Sequence, residues 1–399
     1  MQAIGLVVEY NPFHNGHAYH VQQAKIATDA DVVIAVMSGN FLQRGEPALV
    51  DKWHRTKMAL QQGVDIVIEL PYVYSTALAN DFAQGSIFLL EAIGCTHFAF
   101  GSESGQIEPF LNTVQLINNK RDDYNAHIQD AIKQGVSYPM ALQYAYSSLV
   151  TTANEGEFLE LAQPNNILGF HYVEAAYKMQ AAIKPVTIQR IAANYHDDID
   201  YDKQIASATG IRKAIFNDQS YDSFLPKSSS QLLNDWQSHY SQFVSWEAFW
   251  PLLQYAISRQ TPESLTAYAD VSEGLQFALK KHAGASTYAE FIQALKSKRY
   301  TWTRLQRMLT HIYTGITKEQ LHQFKAPSYI RLLGMTENGQ NYLSQRKKQI
   351  ELPLISRVGK AKDPMLAIDV HATTMYQLGM QQFTTKKISE DYKSPPIRL

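Results

Sequence analysis

Two histidines three positions apart, His14 and His17, follow a short apolar run, Ala3 to Val8, and a break at Asn11-Pro12. Imidazoles beside a helix start are donors for an anion, because the first helical turn presents unpaired N–H groups and the positive end of the dipole. When a nucleophile attacks the α-phosphorus of a nucleoside triphosphate, charge grows on the equatorial and bridging oxygens. Donors already in place stabilise that charge more than the ground state. A nucleophile that is already an anion needs no general base, so the pair suits adenylyl transfer with pyrophosphate leaving. Two histidines near a helix start also serve as capping or surface residues. The order of strand, Asn-Pro break, Gly16 and helix favours the anion site, since Gly16 lets the backbone come close to a ligand.

Such a pair needs a scaffold, and the first 105 or so residues supply a strand-helix rhythm. Strands are expected at 3–8, 31–37, 64–70 and 97–101, and helices at about 17–27, 51–62 and 77–93. Short β-branched runs alternating with helices imply an α/β fold with a parallel, doubly wound, Rossmann-like sheet, whose ligand lies at the carboxyl ends of the strands. The loops of interest are then 9–17, 38–47 and 101–105. No Gly-x-Gly-x-x-Gly and no Walker A sequence is present. Residues 106–183 read as mainly helical and 185–191 as one more strand. From about 226 amphipathic helices follow without the strand rhythm, so residues 1–225 are expected to form the catalytic domain and 226–399 a mainly helical one, with the boundary at Pro226 to Gln231. The last 45 residues are mixed, with room for short strands.

Other groups fall where this scaffold predicts a ligand. The loop Ser38-Gly39-Asn40-Phe41-Leu42-Gln43-Arg44-Gly45-Glu46-Pro47 is longer than a strand-to-helix connection needs and suits a segment closing over substrate, with Arg44 as its anion-binding candidate. Gly101 ends a strand where a bulky residue would crowd a nucleotide. Asn165 opens a helix, either as a cap or as a ligand contact. Arg190, on a strand in an acidic half, needs an anionic partner, either a ligand or a carboxylate. Ser207 and Thr209 at a helix start with Arg212 one turn on resemble a phosphate clamp, although a serine cap with an exposed arginine accounts for the same pattern.

The overall charge of −1 hides a division: residues 1–225 carry 14 Lys and Arg against 24 Asp and Glu, while the remainder carries 22 against 13. A basic half suggests a polyanion partner. The segment Lys296-Ser-Lys298-Arg299-Tyr300-Thr-Trp302-Thr-Arg304-Leu-Gln-Arg307 holds five cations, two aromatics and no acid. Phosphates attract the cations and unpaired bases stack on the rings, as in single-stranded RNA recognition; a solvated helix face is the alternative. A second basic tract runs from Arg346 to Lys362. The single cysteine, Cys95, lies in an apolar phrase and reads as a reduced core residue of a cytoplasmic protein. No signal peptide, no membrane span and no metal-ligand spacing is visible, and no protein partner is implied.

Taken together, the phrase through His17, Ser38 to Pro47 with Asp51-Lys52-Trp53, Gly63 to Pro71, Phe100-Gly-Ser-Glu103, Pro164 to Leu168 and the 298–307 segment resemble the bacterial tRNA(Met) cytidine acetate ligase family. That family is similar to the wider nucleotidyltransferases with a His-x-Gly-His signature, here His14-Asn15-Gly16-His17. The resemblance implies a Rossmann-like nucleotidyltransferase domain in which ATP, with Mg2+, contacts Val7, Val8, Glu9, Tyr10, Asn11, Pro12, Phe13, His14, Asn15, Gly16, His17, Ala18, Tyr19 and His20, then Gly101, Asn165 and Arg190. It also implies activation of acetate as acetyl-adenylate and transfer of the acetyl group to N4 of the wobble cytidine of elongator tRNA(Met). The wider family's second signature looks like Ser207-Ala-Thr209-Gly-Ile-Arg212, with Gly210 making the helix start looser. The residues alone do not distinguish acetate from another small acid. A nucleotidyltransferase for a small phosphorylated metabolite, and a noncatalytic ATP-binding RNA-binding protein, remain as alternatives.

Overall fold

Apolar runs with no polar alternation bury both faces when helices cover a sheet on each side. The computed structural model describes residues 1–136, 138–151, 157–161, 164–190, 200, 204–297, 299–388 and 390–399, with the backbone alone at Tyr138, Pro139, Pro164 and Asn165. Strands β1 (Ala3–Val8), β2 (Val32–Ser38), β3 (Ile66–Leu70), β4 (His97–Ser102) and β5 (Lys184–Gln189) are all parallel, in the order β5-β4-β1-β2-β3. Helix α1 (Asn15–Thr28) connects β1 to β2 and α2 (Lys52–Leu60) connects β2 to β3; α3 (Tyr72–Ser75) and α4 (Ala79–Ala92) lead on to β4. Between β4 and β5 run α5 (Glu108–Asn119), α6 (Arg121–Lys133), α7 (Tyr138–Thr151) and α8 (Pro164–Lys178). The α/β, Rossmann-like expectation holds for this half.

Helix α9 (Ala208–Phe216) ends this half, and the second half begins with helices: α10 (Lys227–Tyr240), α11 (Trp246–Ser258), α12 (Pro262–Leu265), α13 (Leu275–His282), α14 (Tyr288–Leu295), α15 (Trp302–Thr314) and α16 (Lys318–His322). It then returns to the sheet. Strand β6 (Ile330–Met335) pairs antiparallel with β3, and β7 (Leu354–Ile355) and β8 (Ile397–Arg398) pair with β6; α17 (Glu337–Arg346) and α18 (Pro364–Met380) lie between them. The sheet is therefore mostly parallel rather than wholly so, and it crosses the boundary drawn near residue 226.

A buried arginine inside an apolar run hid β6 from the sequence pattern. Arg331 is tolerated there because its guanidinium lies 3.0 Å from Asp391 and 3.4 Å from Glu69, while the fully buried Lys52 lies 2.7 Å from Glu69 and 2.8 Å from Asp391. Two cations and two anions offset one another's desolvation, and the cluster ties α2, β3, β6 and the C-terminal segment into one core.

Candidate active site

The site grows from the turn between β1 and α1. His14 caps α1 in an extended conformation, and its Nδ1 accepts a hydrogen bond from the Gly16 N–H at 3.1 Å. The backbone N–H of His14 in turn donates to Nδ1 of His17 at 3.3 Å. The two rings stack with centroids 3.7 Å apart. Because each Nδ1 accepts, each neutral ring carries its proton on Nε2, which makes both rings donors on the side away from the backbone. Burial lowers the His14 pKa to about 3, helped by Arg190 and Arg212; it lowers His17 well below the ordinary range and His20 to about 4. At neutral pH the site therefore offers uncharged donors between two guanidinium groups. Tyr10 and Phe13 wall the His17 ring, with centroids at 4.9 and 5.6 Å. Val7, Ala18 and Tyr19 are part-buried on the core side, and Val8 is buried.

The segment before α9 closes over the same turn. Asn15 Nδ2 donates to the carbonyls of Gln204 (2.9 Å) and Ser223 (3.0 Å), which brings the second signature to the start of α1. Ser207 caps α9 by accepting from the Gly210 N–H at 3.0 Å. Arg212 donates to the Asn11 carbonyl at 2.9 Å, to Glu46 Oε2 at 3.3 Å and to Thr209 Oγ1 at 3.5 Å. Despite the loose glycine, the arginine is held on several sides.

On the other flank, Arg190 leaves the end of β5, and its N–H donates to the Ser102 carbonyl at 3.0 Å. A Cβ at Gly101 would stand 3.1 Å from Arg190 Cγ, so the glycine makes room for this arginine as well as for any ligand. Asn165 falls in the first turn of α8, and its neighbour Asn166 is buried, donating to the Glu160 carbonyl at 3.1 Å. A crevice of about 570 Å³ opens there, lined by Glu103, Ser104, Gln106, Pro109 and Asn166 among others. His14, His17, His20, Arg190 and Arg212 thus lie close enough around one turn to act on one another's charge.

The Ser38–Pro47 loop differs from a lid. Phe41 is buried among Tyr72, Phe249, Tyr313 and Tyr376 at 6.0 to 6.3 Å between centroids. The Gln43 N–H donates to Glu9 Oε1 at 2.8 Å, and burial raises the Glu9 pKa while the Gln43 bond and the Arg44 charge oppose the rise. Gly45 has φ +78° and packs so closely on α15 that a Cβ would sit 2.2 Å from the Arg307 nitrogen. The extra length is spent on anchoring. Arg55, which sequence reasoning passed over, donates to the carbonyls of Glu9 (2.7 Å), Ser38 (3.1 Å), Val50 (3.3 Å) and Gly39, fixing the ends of β1 and β2 together. A buried arginine bonded only to main chain leaves no mark in residue spacing. Among the described residues Ser38 Oγ and Asn40 Nδ2 find no hydrogen-bond partner, while Asn40 Oδ1 accepts from the Lys52 N–H at 2.8 Å.

The basic tract lies at the start of α15 and is less free than its composition suggests. Acids absent from the tract arrive from residues 270–273: Arg299 is 2.7 Å from Glu273, Arg304 is 3.8 Å from Asp270 and stacks 5.1 Å over Tyr300, and Tyr300 donates to the Glu273 carbonyl. Arg307 is 7% exposed and faces Asp270, so the structure places it inside the molecule rather than toward a polyanion. Lys296 is part-buried and donates to the Ser297 carbonyl. Lys298 lies outside the described residues.

Residues 1–391 match the model of the HIGH Nucleotidyl Transferase family. The chain is 61% identical to a tRNA(Met) cytidine acetate ligase of Lysinibacillus sphaericus over the full length of both, and 46% identical to one of Bacillus subtilis, covering all of this chain and 97% of that one. It superposes on Thermotoga maritima TmcAL in its apo form with a TM-score of 0.92 and 33% identity, and on the same protein bound with alpha-thio ATP with a TM-score of 0.90 and 32% identity, each over the whole of both chains. The chain belongs to the HIGH nucleotidyl transferases and, among them, to the tRNA(Met) cytidine acetate ligase family.

Proposed function

We propose that this protein activates acetate with ATP and passes the acetyl group to the N4 amine of the wobble cytidine of elongator tRNA(Met). The observation that carries the reading is the pair of neutral imidazoles at the start of α1 whose Nδ1 atoms are both taken by backbone N–H groups, which leaves the Nε2 protons for a ligand, near Arg190 and Arg212. A carboxylate oxygen of acetate attacks the α-phosphorus, the bond from that phosphorus to the bridging oxygen breaks, and pyrophosphate leaves. His14 and His17 donate to oxygens whose charge grows in that step, and the arginines face the triphosphate. The cytidine N4 then attacks the acetyl carbonyl, AMP leaves, and the amine gives up a proton to water. Ser38 Oγ and Asn40 Nδ2, buried with no partner among the described residues, are the donors we assign to the acetate, with Gly39 between them. The crevice past Gly101, lined by Glu103 and Asn166 and not by the histidines or arginines, has the size of a small-molecule site, and we assign it to the nucleoside.

Among the described residues no group of three or more His, Cys, Asp or Glu side chains is placed to hold a metal, and Mg2+ would be held mainly through the triphosphate and water. Arg299, Arg304 and Tyr300 are assigned to the tRNA, which makes residues 226–399 the RNA-facing half. No helix among the described residues is long and apolar enough to cross a membrane, and a tRNA substrate puts the enzyme in the cytoplasm. The test is incubation with ATP, labelled acetate and total tRNA. Label in N4-acetylcytidine of tRNA(Met), with one pyrophosphate per acetyl, supports the reading. Pyrophosphate release that needs a phosphorylated metabolite instead of acetate overturns it.

A further inference from the structure

Glu46 is the one carboxylate of the Ser38–Pro47 loop, and it stands between two elements that the chemistry keeps apart. Its Oε2 lies 3.3 Å from the Arg212 guanidinium, and its Oε1 accepts from Gln306 Nε2 at 3.3 Å. Gln306 sits on α15 between Arg304 and Arg307. The backbone carrying Glu46 is not free to drift: Gly45 rests against the main chain of Gln306 and Arg307, and Trp246 Nε1 donates to the Gly45 carbonyl at 3.0 Å. Farther along the chain, the Leu49 N–H donates to Asn11 Oδ1 at 2.7 Å, and the Asn11 carbonyl is the other acceptor for Arg212. Both Glu46 and Arg212 are largely shielded from water, with side chains 27% and 17% exposed, so the carboxylate fixes the direction of the guanidinium more firmly than a surface pair would.

We infer that Glu46 is a positioning residue for Arg212: one carboxylate oxygen aims the guanidinium into the triphosphate crevice, and the other takes its own orientation from Gln306, so that α15 sets where Arg212 stands. The inference rests on the reading of Arg212 as a phosphate contact. It also gives the long loop a use that a lid would not have, since the loop transmits the position of the RNA-facing helix to the nucleotide site.

A double-mutant cycle tests it. ATP–pyrophosphate exchange in the presence of acetate is measured for the full chain and for Glu46→Ala, Arg212→Ala and the double variant, with thermal melting as the check on folding. Glu46→Gln, which keeps the size of the side chain, replaces Glu46→Ala if the latter unfolds. In the parent background loss of Glu46 should lower kcat/KM for ATP about tenfold, mainly through KM, and in the Arg212→Ala background it should change kcat/KM by less than about twofold. Gln306→Ala should shift KM in the same direction by a smaller factor. Equal losses in the two backgrounds would assign Glu46 a general structural role and overturn the inference, as would an unchanged KM in the parent. If Arg212→Ala itself leaves KM for ATP untouched, the phosphate role of Arg212 fails first, and that result is distinct from either.

Discussion

Replacing His17 by asparagine and, separately, by glutamine divides the two jobs that the ring performs. Its Nδ1 accepts from the His14 N–H at 3.3 Å, a capping bond at the start of α1, which leaves the proton on Nε2, the donor that the proposed mechanism assigns to the triphosphate. An asparagine carbonyl oxygen reaches the place of Nδ1 but supplies nothing at Nε2. A glutamine amide nitrogen reaches the place of Nε2 but leaves the cap unmade. Loss of a capping acceptor costs about 1 kcal/mol of stability. Loss of a donor to a developing oxyanion costs about 10²-fold to 10³-fold in rate. His17→Asn should therefore keep the urea midpoint of the parent and lower kcat for ATP–pyrophosphate exchange by at least about 10²-fold. His17→Gln should lower stability by about 1 kcal/mol and lose less than about tenfold in rate. Exchange by the asparagine variant within about threefold of the parent would show that the Nε2 proton does not act on the reacting phosphate, and the tautomer argument would fall with it.

Two further outcomes follow from the charges. The His14 ring should stay neutral on titration from pH 8 to 5, because burial beside Arg190 and Arg212 sets its pKa at about 3; a midpoint near the ordinary 6.5 in its NMR signals would contradict this. The same depression means that the unfolded chain takes up protons first as pH falls below about 6.5, so folding stability declines on acidification and is unaffected by this group above that value. Arg304→Ala and Arg307→Ala should separate: the first weakens tRNA binding and reduces its salt slope by about 1 or less, while the second leaves the slope alone and lowers the denaturation midpoint by removing a buried side chain, Asp270 keeping Arg304 as its partner. Filter binding across a salt series and urea unfolding measure the two, and a reduced salt slope for the Arg307 variant would count against its interior placement.

The sequence by itself determined what is local. Strand β1 falls at Ala3–Val8 as expected, and α1 begins at Asn15, two residues ahead of the expected start, because an apolar β-branched run, an Asn-Pro break and a glycine act within a few residues of one another. The stacking of His14 on His17 follows from the same short span, since a capping box brings the side chains of the N-cap and the third helical residue together. The serine cap of the second signature was legible in the same way, but the placing of Arg212 against Asn11 and Glu46 was not.

Contacts between distant segments were decided only by the tertiary structure. Strand β6 could not be read because Arg331 breaks its apolar run, and the carboxylates that offset it, Glu69 and Asp391, lie far away in the chain. The tract at 296–307 reads as free positive charge until Asp270 and Glu273 arrive to meet it. The loop at 38–47 looks like a lid until Phe41 enters the aromatic core and Arg55 ties the strand ends. Periodicity and spacing register which side of an element is apolar, because that depends on neighbours along the backbone. Whether a charge is paired, a loop anchored or an arginine aimed depends on which groups folding brings within about 3 to 4 Å, and no local pattern carries that information.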